Sequence, residues 1–115
     1  MITEEVWNRG LLLKEYIGRM KIYQKEMQQR VNDLRITSAE FQKLKEFNQV
    51  RKILVLTEDG CKDSLMNLPI ISKIVEASPH IEMRIFIRSE NSELTLFFSQ
   101  NGYNNIPLCW VMKAD

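Results

Sequence analysis

Thr57-Glu58-Asp59-Gly60-Cys61-Lys62-Asp63-Ser64 is the stretch on which the fold turns. An apolar run, Ile53-Leu54-Val55-Leu56, precedes it. Helical apolar spacing follows it, with Pro69 inside that spacing. A lone cysteine where a strand gives way to a helix sits at the positive end of the helix dipole. That placement favours the thiolate, the reactive form of the side chain. Asp59-Gly60 reads first as a turn dipeptide and second as a feature that opens access to the sulfur.

Working outward, Val50 to Thr57 reads as a buried strand, β-branched and apolar up to the turn. Its near-continuous apolar run suits a central strand covered on both faces. From Lys62 to Ala77 the pattern is helical, with Leu65, Leu68, Ile71, Ile74 and Val75 on one side. Pro69 removes a backbone hydrogen bond there and kinks the helix, and Ser78-Pro79 ends it. Ile81, Met83, Ile85 and Ile87 alternate with Glu82, Arg84, Phe86 and Arg88, the period of a second strand. Leu94, Phe97 and Phe98 mark a helix starting at Asn91 or Ser92 and closed by Asn101-Gly102. Ile106 to Met112 reads as a third strand beginning at Pro107. The first two strands are joined by a helical crossover and are therefore expected to be parallel.

Upstream, Thr3-Glu4-Glu5 is compatible with a helix start. Leu13, Ile17, Met20, Tyr23, Met27, Val31 and Leu34 follow at steps of 4, 3, 3, 4, 4 and 3, one face of a helix. Gly10 and Gly18 weaken it by about 1 kcal/mol each relative to alanine, so a break near either is expected. Packing of this stripe on the rest of the domain is the favoured reading, against a coiled coil with a partner. Thr37 with Glu40 forms a capping box ahead of a short helix from about 38 to 47. The expected organisation is a helical extension, 1–49, packed on an α/β unit, 50–115.

The 115 residues fit one domain, and 44% apolar content is enough for a core. Sixteen basic against fifteen acidic residues leave a net charge of +1, with no basic excess to support a nucleic-acid or membrane-surface partner. No apolar run approaches membrane-spanning length. The acidic N-terminus lacks the order of a signal peptide, so a cytoplasmic location is expected. Cys61 and Cys109 are too few for a disulfide framework. With His80 alone and no Cys/His clustering, neither a metal nor a cofactor is expected. Trp7 and Trp110 read as packing residues, and Asp63 as an acid favourable to the helix dipole. Core packing is the favoured reading of Cys109. A Cys61–Cys109 bridge would need α-carbons within about 7 Å.

These residues resemble the thioredoxin superfamily. The match runs from the strand Ile53–Thr57 through Cys61-Lys62-Asp63-Ser64, which stands in the place of the family's Cys-x-x-Cys. It continues at Pro69, where thioredoxins carry a helix-kinking proline, and ends at Ile106-Pro107, which resembles the family's cis-proline opposite the active cysteine. Thr57-Glu58-Asp59-x-Cys61-x-Asp63-Ser64-x-x-Asn67-Leu68-Pro69 is similar to a bacterial thioredoxin-like group that carries a Trp-Cys-x-Asp pattern behind a helical extension. There are three departures. Gly60 stands where the family commonly has tryptophan, and Ser64 replaces the second cysteine. The chain stops at Asp115, where the family's fold continues into a fourth strand and a helix.

The resemblance implies an α/β sheet of order 2-1-3 lacking its final strand and helix, with the third strand as an open edge. That edge, or the N-terminal helices, would serve a homodimer. It implies Cys61 as nucleophile, Ser64 in the second catalytic position, and Gly60, Lys62, Ile106 and Pro107 as substrate-binding residues. Ser64 cannot act as a resolving thiol, so a Cys-x-x-Ser site is monothiol and depends on an external thiol for release. The implied partner is a disulfide-bearing protein or a small thiol. A non-catalytic thioredoxin-like interaction module is the competing reading.

Overall fold

The computed structural model describes residues 2–113; Met1, Ala114 and Asp115, at the ends of the two expected segments, lie outside the described residues. Its centre is strand β1, Arg51–Thr57, in which Leu54, Val55, Leu56 and Thr57 are all buried. Successive side chains point to opposite faces of a strand, so a run buried at every position must be covered twice. Parallel to β1 runs β2, Ile81–Ile87, with Ile53 beside Met83 and Val55 beside Ile85. On the other side lies β3, Leu108–Lys113, antiparallel, with Leu54 beside Trp110 and Val55 beside Cys109. The sheet order is thus β2-β1-β3, a thioredoxin-like α/β arrangement.

Among the described residues, six α-helices and one 3₁₀ turn accompany the three strands. The N-terminal helices are α1 (Glu4–Asn8), α2 (Leu13–Arg19), α3 (Gln24–Asp33) and α4 (Ser38–Glu46). Between strands lie α5 (Lys62–Ala77) and α6 (Ser92–Gln100), the latter after a single 3₁₀ turn at Arg88–Glu90. One face carries Tyr16 and Ile17 of α2, Met27 of α3 and Leu68 of α5 against Val55, Met83, Ile85 and Ile87. The opposite face carries Trp7 of α1 and Leu94 and Phe98 of α6 against Leu54, Leu56 and Phe86. Both faces of β2 are therefore used. On the side opposite Met83, Ile85 and Ile87, Phe86 is buried beneath α1 and α6.

The N-terminal helices do not form one continuous rod, and the two breaks have different causes. At the first, the chain crosses from one face of the sheet to the other around the outer edge of β2. Leu11 and Ile85 exchange a pair of amide-to-carbonyl hydrogen bonds, both 2.8 Å. Gly10 fits this crossing because it has no side chain: a Cβ there would stand 2.6 Å from Arg84 Cβ and 2.6 Å from the Phe86 ring. The second break falls at Met20–Tyr23, whereas Gly18 lies inside α2 without ending it. Tyr23 takes a left-handed conformation, φ 63°, to turn the chain into α3. Apolar residues on either side of this turn, Ile17, Met20 and Met27, still join one buried cluster.

Two further details position the later elements. Thr37 and Glu40 make a reciprocal capping box at the start of α4, each bond 3.1 Å, and these bonds hold the Glu40 carboxyl below its ordinary 4.5. Pro69 lies inside α5 and has no N–H for the carbonyl of Leu65, four residues earlier. Arg30 of α3 takes up that carbonyl: its Nε donates to Leu65 O at 2.9 Å and its Nη2 to Met66 O at 3.0 Å.

Strand β3 corrects one expectation. It begins at Leu108, after the proline rather than at it, and Leu108, Trp110 and Met112 turn toward the α6 side. Cys109 therefore falls on the other side with Val111 and Lys113, and it is exposed rather than part of the core. Nothing among the described residues covers that face at β3, and Val111 is 61% exposed.

Arg30→Met is expected to lower stability by about 1–3 kcal/mol, since two helix carbonyls lose a charged donor; urea unfolding with an unchanged m-value measures it. Gly10→Ala should cost a similar amount, about 1–3 kcal/mol, by forcing the crossing segment away from β2.

Candidate functional site

The site grows out of the end of β1. Thr57 is the last strand residue and is fully buried. The chain then turns: Cys61 N–H donates to Glu58 O at 3.3 Å, and Gly60 takes φ +83°. That conformation favours glycine at this step of a turn. Both turn carboxylates are bound to distant backbone. Glu58 accepts from the Ser89 amide at 2.9 Å and from the Ser89 hydroxyl at 3.1 Å. Asp59 accepts from the amides of Lys21 and Ile22 at 3.0 and 3.3 Å. The turn is thus fixed to the end of β2 by one acid and to the α2–α3 turn by the next.

Cys61 is the N-cap of α5, with extended backbone (φ −76°, ψ 113°). Its Sγ accepts from the Ser64 amide at 3.4 Å, in the place a serine or aspartate oxygen usually fills at a helix start. The same sulfur lies 3.9 Å from the Ile106 carbonyl, and the Ile106–Pro107 peptide bond is cis. Cys61 is partly exposed, with Lys62 and Asp63 fully at the surface beside it. The structure therefore brings Gly60, Cys61, Lys62, Ser64, Ile106 and Pro107 to one end of the sheet.

Ser64 plays a different part from the one its motif position suggests. It is 1% exposed, and its hydroxyl bonds the Thr57 hydroxyl rather than facing the sulfur. What it gives Cys61 is its amide. Close to this pair lies Tyr16 of α2, also buried. Burial pushes the Tyr16 phenol above its ordinary 10.0; the nearby Thr57 hydroxyl opposes the rise, and the acidic groups of Asp59, Cys61 and Glu58 add to it.

Cys109 lies elsewhere on β3, and both cysteines are free thiols. Desolvation pushes the Cys109 thiol above its ordinary 9.0, which favours its protonated form. Among the described residues no cluster of His, Cys, Asp and Glu is arranged to hold a metal ion, and no helix is long and apolar enough to cross a membrane.

Nothing in the sequence marks Tyr16 or Ile22 as part of this site, and Thr57 stands out there only as the end of a strand. Tyr16 and Ile22 lie about forty positions upstream of Cys61, and no spacing rule links them to it. Asp59 reads in the sequence as part of a turn, and nothing there shows that Asp59 and Glu58 clamp distant backbone.

A family model described as thioredoxin matches residues 10–115. Among solved structures, a protein of unknown function from Pseudomonas aeruginosa superposes with a TM-score of 0.80 at 19% identity, covering 98% of this chain and 71% of that one. An HIV epitope-scaffold superposes with a TM-score of 0.78 at 20% identity, covering 95% of this chain and 68% of that one. At such identities the likeness concerns the fold alone. No curated protein matches the sequence.

The raised phenol gives a pH test with a definite sign. Below the unfolded tyrosine's ordinary 10.0 the two states bind the same proton. Above it the unfolded chain releases a proton that the folded chain keeps, so stability falls until the folded value is passed. Tyr16→Phe is expected to flatten that alkaline loss, read as the difference between the two proteins' urea midpoints across the alkaline range.

Proposed function

This chain belongs to the thioredoxin family, and on that premise we propose that it carries out monothiol thiol–disulfide exchange at Cys61, on a protein disulfide or a low-molecular-weight one. The observation that carries this reading is the setting of one sulfur. It is partly exposed at a helix start, receives the Ser64 amide at 3.4 Å, and has the Ile106 carbonyl 3.9 Å away. Amide N–H groups aimed at a sulfur stabilise negative charge on it. The neighbouring carbonyl is an acceptor that an extended peptide can use.

In the forward step the Cys61 thiolate bonds to one substrate sulfur and the substrate S–S bond breaks. The second sulfur leaves with the electron pair and takes a proton from water. The mixed disulfide then waits for an external thiol, which attacks the substrate sulfur, forms a disulfide with it and releases Cys61 as the thiolate; attack on the Cys61 sulfur would only exchange one mixed disulfide for another. Ser64 brings no sulfur, and its hydroxyl is held on Thr57. Gly60 keeps the approach low, Lys62 offers a charge at its rim, and Ile106 and Pro107 form the opposite lip. The reading needs no metal and no bound cofactor, only a small thiol as co-substrate. It assigns the exchange to the cytoplasm, where such thiols are abundant.

A second reading has its own support. Phe41, Met66, Ile70 and Val111 are all at least 46% exposed. These residues suit a non-catalytic thioredoxin-like module that associates through its helices or the outer edge of β3, including with a second copy of itself.

The experiment uses a Cys109→Ser background, so that Cys61 is the remaining thiol. Oxidised glutathione is expected to give one mixed disulfide per chain by mass spectrometry, and none after Cys61→Ser. Insulin or glutathione-disulfide exchange at equal rates in both proteins would leave the interaction module standing and remove the exchange reading.

A further inference from the structure

The residue before Cys61 has no side chain, and the space where one would stand is filled from another part of the chain. A Cβ on Gly60 would meet Ile22 Cδ1 at 3.1 Å, with Ile22 Cγ2 at 3.7 Å and Cβ at 3.8 Å. Ile22 sits in the turn between α2 and α3. Its backbone is fixed by Asp59, whose carboxylate accepts from the Lys21 and Ile22 amides at 3.0 and 3.3 Å. One short run, Asp59-Gly60-Cys61, therefore sets the position of both the sulfur and this aliphatic side chain. Yet Ile22 is not spent on the core. It remains 50% exposed, whereas Tyr16, Ile17, Met20 and Met27 on the flanking helices are buried. A backbone pinned by a carboxylate, carrying an aliphatic group that is left half open beside a cysteine, is an arrangement that core packing does not explain.

We propose that Ile22 is a specificity-determining contact for exchange at Cys61. It selects protein disulfides whose attacked cysteine is flanked by a bulky apolar residue, and that residue rests on the open half of Ile22. The inference builds on the reading of Cys61 as nucleophile. Covering apolar surface on both partners favours such substrates over ones flanked by small polar residues. Ile22 takes no part in the bonds made and broken: the Cys61 sulfur bonds to the substrate sulfur, and the displaced sulfur leaves with the electron pair and takes a proton from water. Its contribution therefore falls on KM and not on kcat. Asp59 is a positioning residue in this scheme, acting on substrate choice only through Ile22.

The test uses the full chain in the Cys109→Ser background with two probes, and reduced glutathione as the external thiol that frees Cys61 after each exchange. Each probe is a short peptide whose single cysteine is disulfide-linked to glutathione, with leucine on both sides of the cysteine in one and serine in the other. The parent protein is expected to prefer the leucine peptide. Ile22→Ala should reduce that preference in kcat/KM by about tenfold, through KM. Ile22→Phe should retain it. Alkylation of Cys61 by iodoacetamide should run at the parent rate in both variants. If Ile22→Ala slows both peptides alike, or changes the alkylation rate, Ile22 serves to shape the loop and the proposal is overturned. No preference in the parent protein overturns it too. If the parent exchanges neither peptide and matches Cys61→Ser, the nucleophile reading itself fails, and this inference with it.

Discussion

The carbonyl of Leu65 is the point on which the arrangement depends. Pro69 cannot donate to it, and a buried helix carbonyl left without a donor costs about 1–3 kcal/mol. Arg30 supplies the missing hydrogen bond from another helix, and adds a second to Met66 O. The carbonyl that Pro69 leaves without a helical donor is thereby satisfied, and α3 is tied to the helix that starts at Cys61. A guanidinium suits the task, because its donors lie in one plane at fixed spacing and can serve two adjacent carbonyls. The helices ahead of the sheet are therefore part of what sets the direction in which α5 leaves the sulfur.

The turn bearing Cys61 is held by the same logic, with carboxylates in place of a guanidinium. Glu58 reaches the end of β2 and Asp59 the α2–α3 turn. A free carboxylate beside a thiol would oppose negative charge on the sulfur. Directed at backbone amides, each acid instead has its charge partly balanced by the groups it binds. The turn is thus anchored on two sides while the sulfur between them stays accessible. Close to it, the buried Ser64 and Thr57 hydroxyls bond each other, with the buried Tyr16 phenol near Thr57.

Much of the fold was legible in the sequence because it follows from local rules. The continuous apolar run Ile53–Leu56, the alternation from Ile81 and the spacing from Leu65 to Val75 gave two parallel strands around a helix. The sheet order came from the resemblance built on those elements and on Cys61, Pro69 and Pro107, and the structure has it as β2-β1-β3. The Thr37–Glu40 box was legible for the same reason, its two bonds spanning a single turn. What stayed hidden depends on contacts between distant segments. The break at Gly10 is set by the flank of β2 and not by helix propensity. The turn at Met20–Tyr23 is set by Asp59. For Cys109, residue type alone suggests burial, whereas strand alternation with Trp110 decides which face it takes.

The serine at position 64 shows why a motif alone could not describe this site. By spacing it occupies the place of a second thiol, and by chemistry it cannot replace one. In the fold its hydroxyl turns inward to Thr57 while its amide turns outward to the sulfur. Thr57 also lies near the phenol of Tyr16, and Tyr16 belongs to α2, which ends just before the turn gripped by Asp59. A side chain larger than serine would have to displace a hydroxyl already bonded at 1% exposure. Simple replacement by cysteine therefore restores a sulfur without its approach: the new atom would start out directed at Thr57, away from Cys61. The N-terminal helices, through Tyr16 beside Thr57, thus belong to the same buried layer that receives the Ser64 hydroxyl.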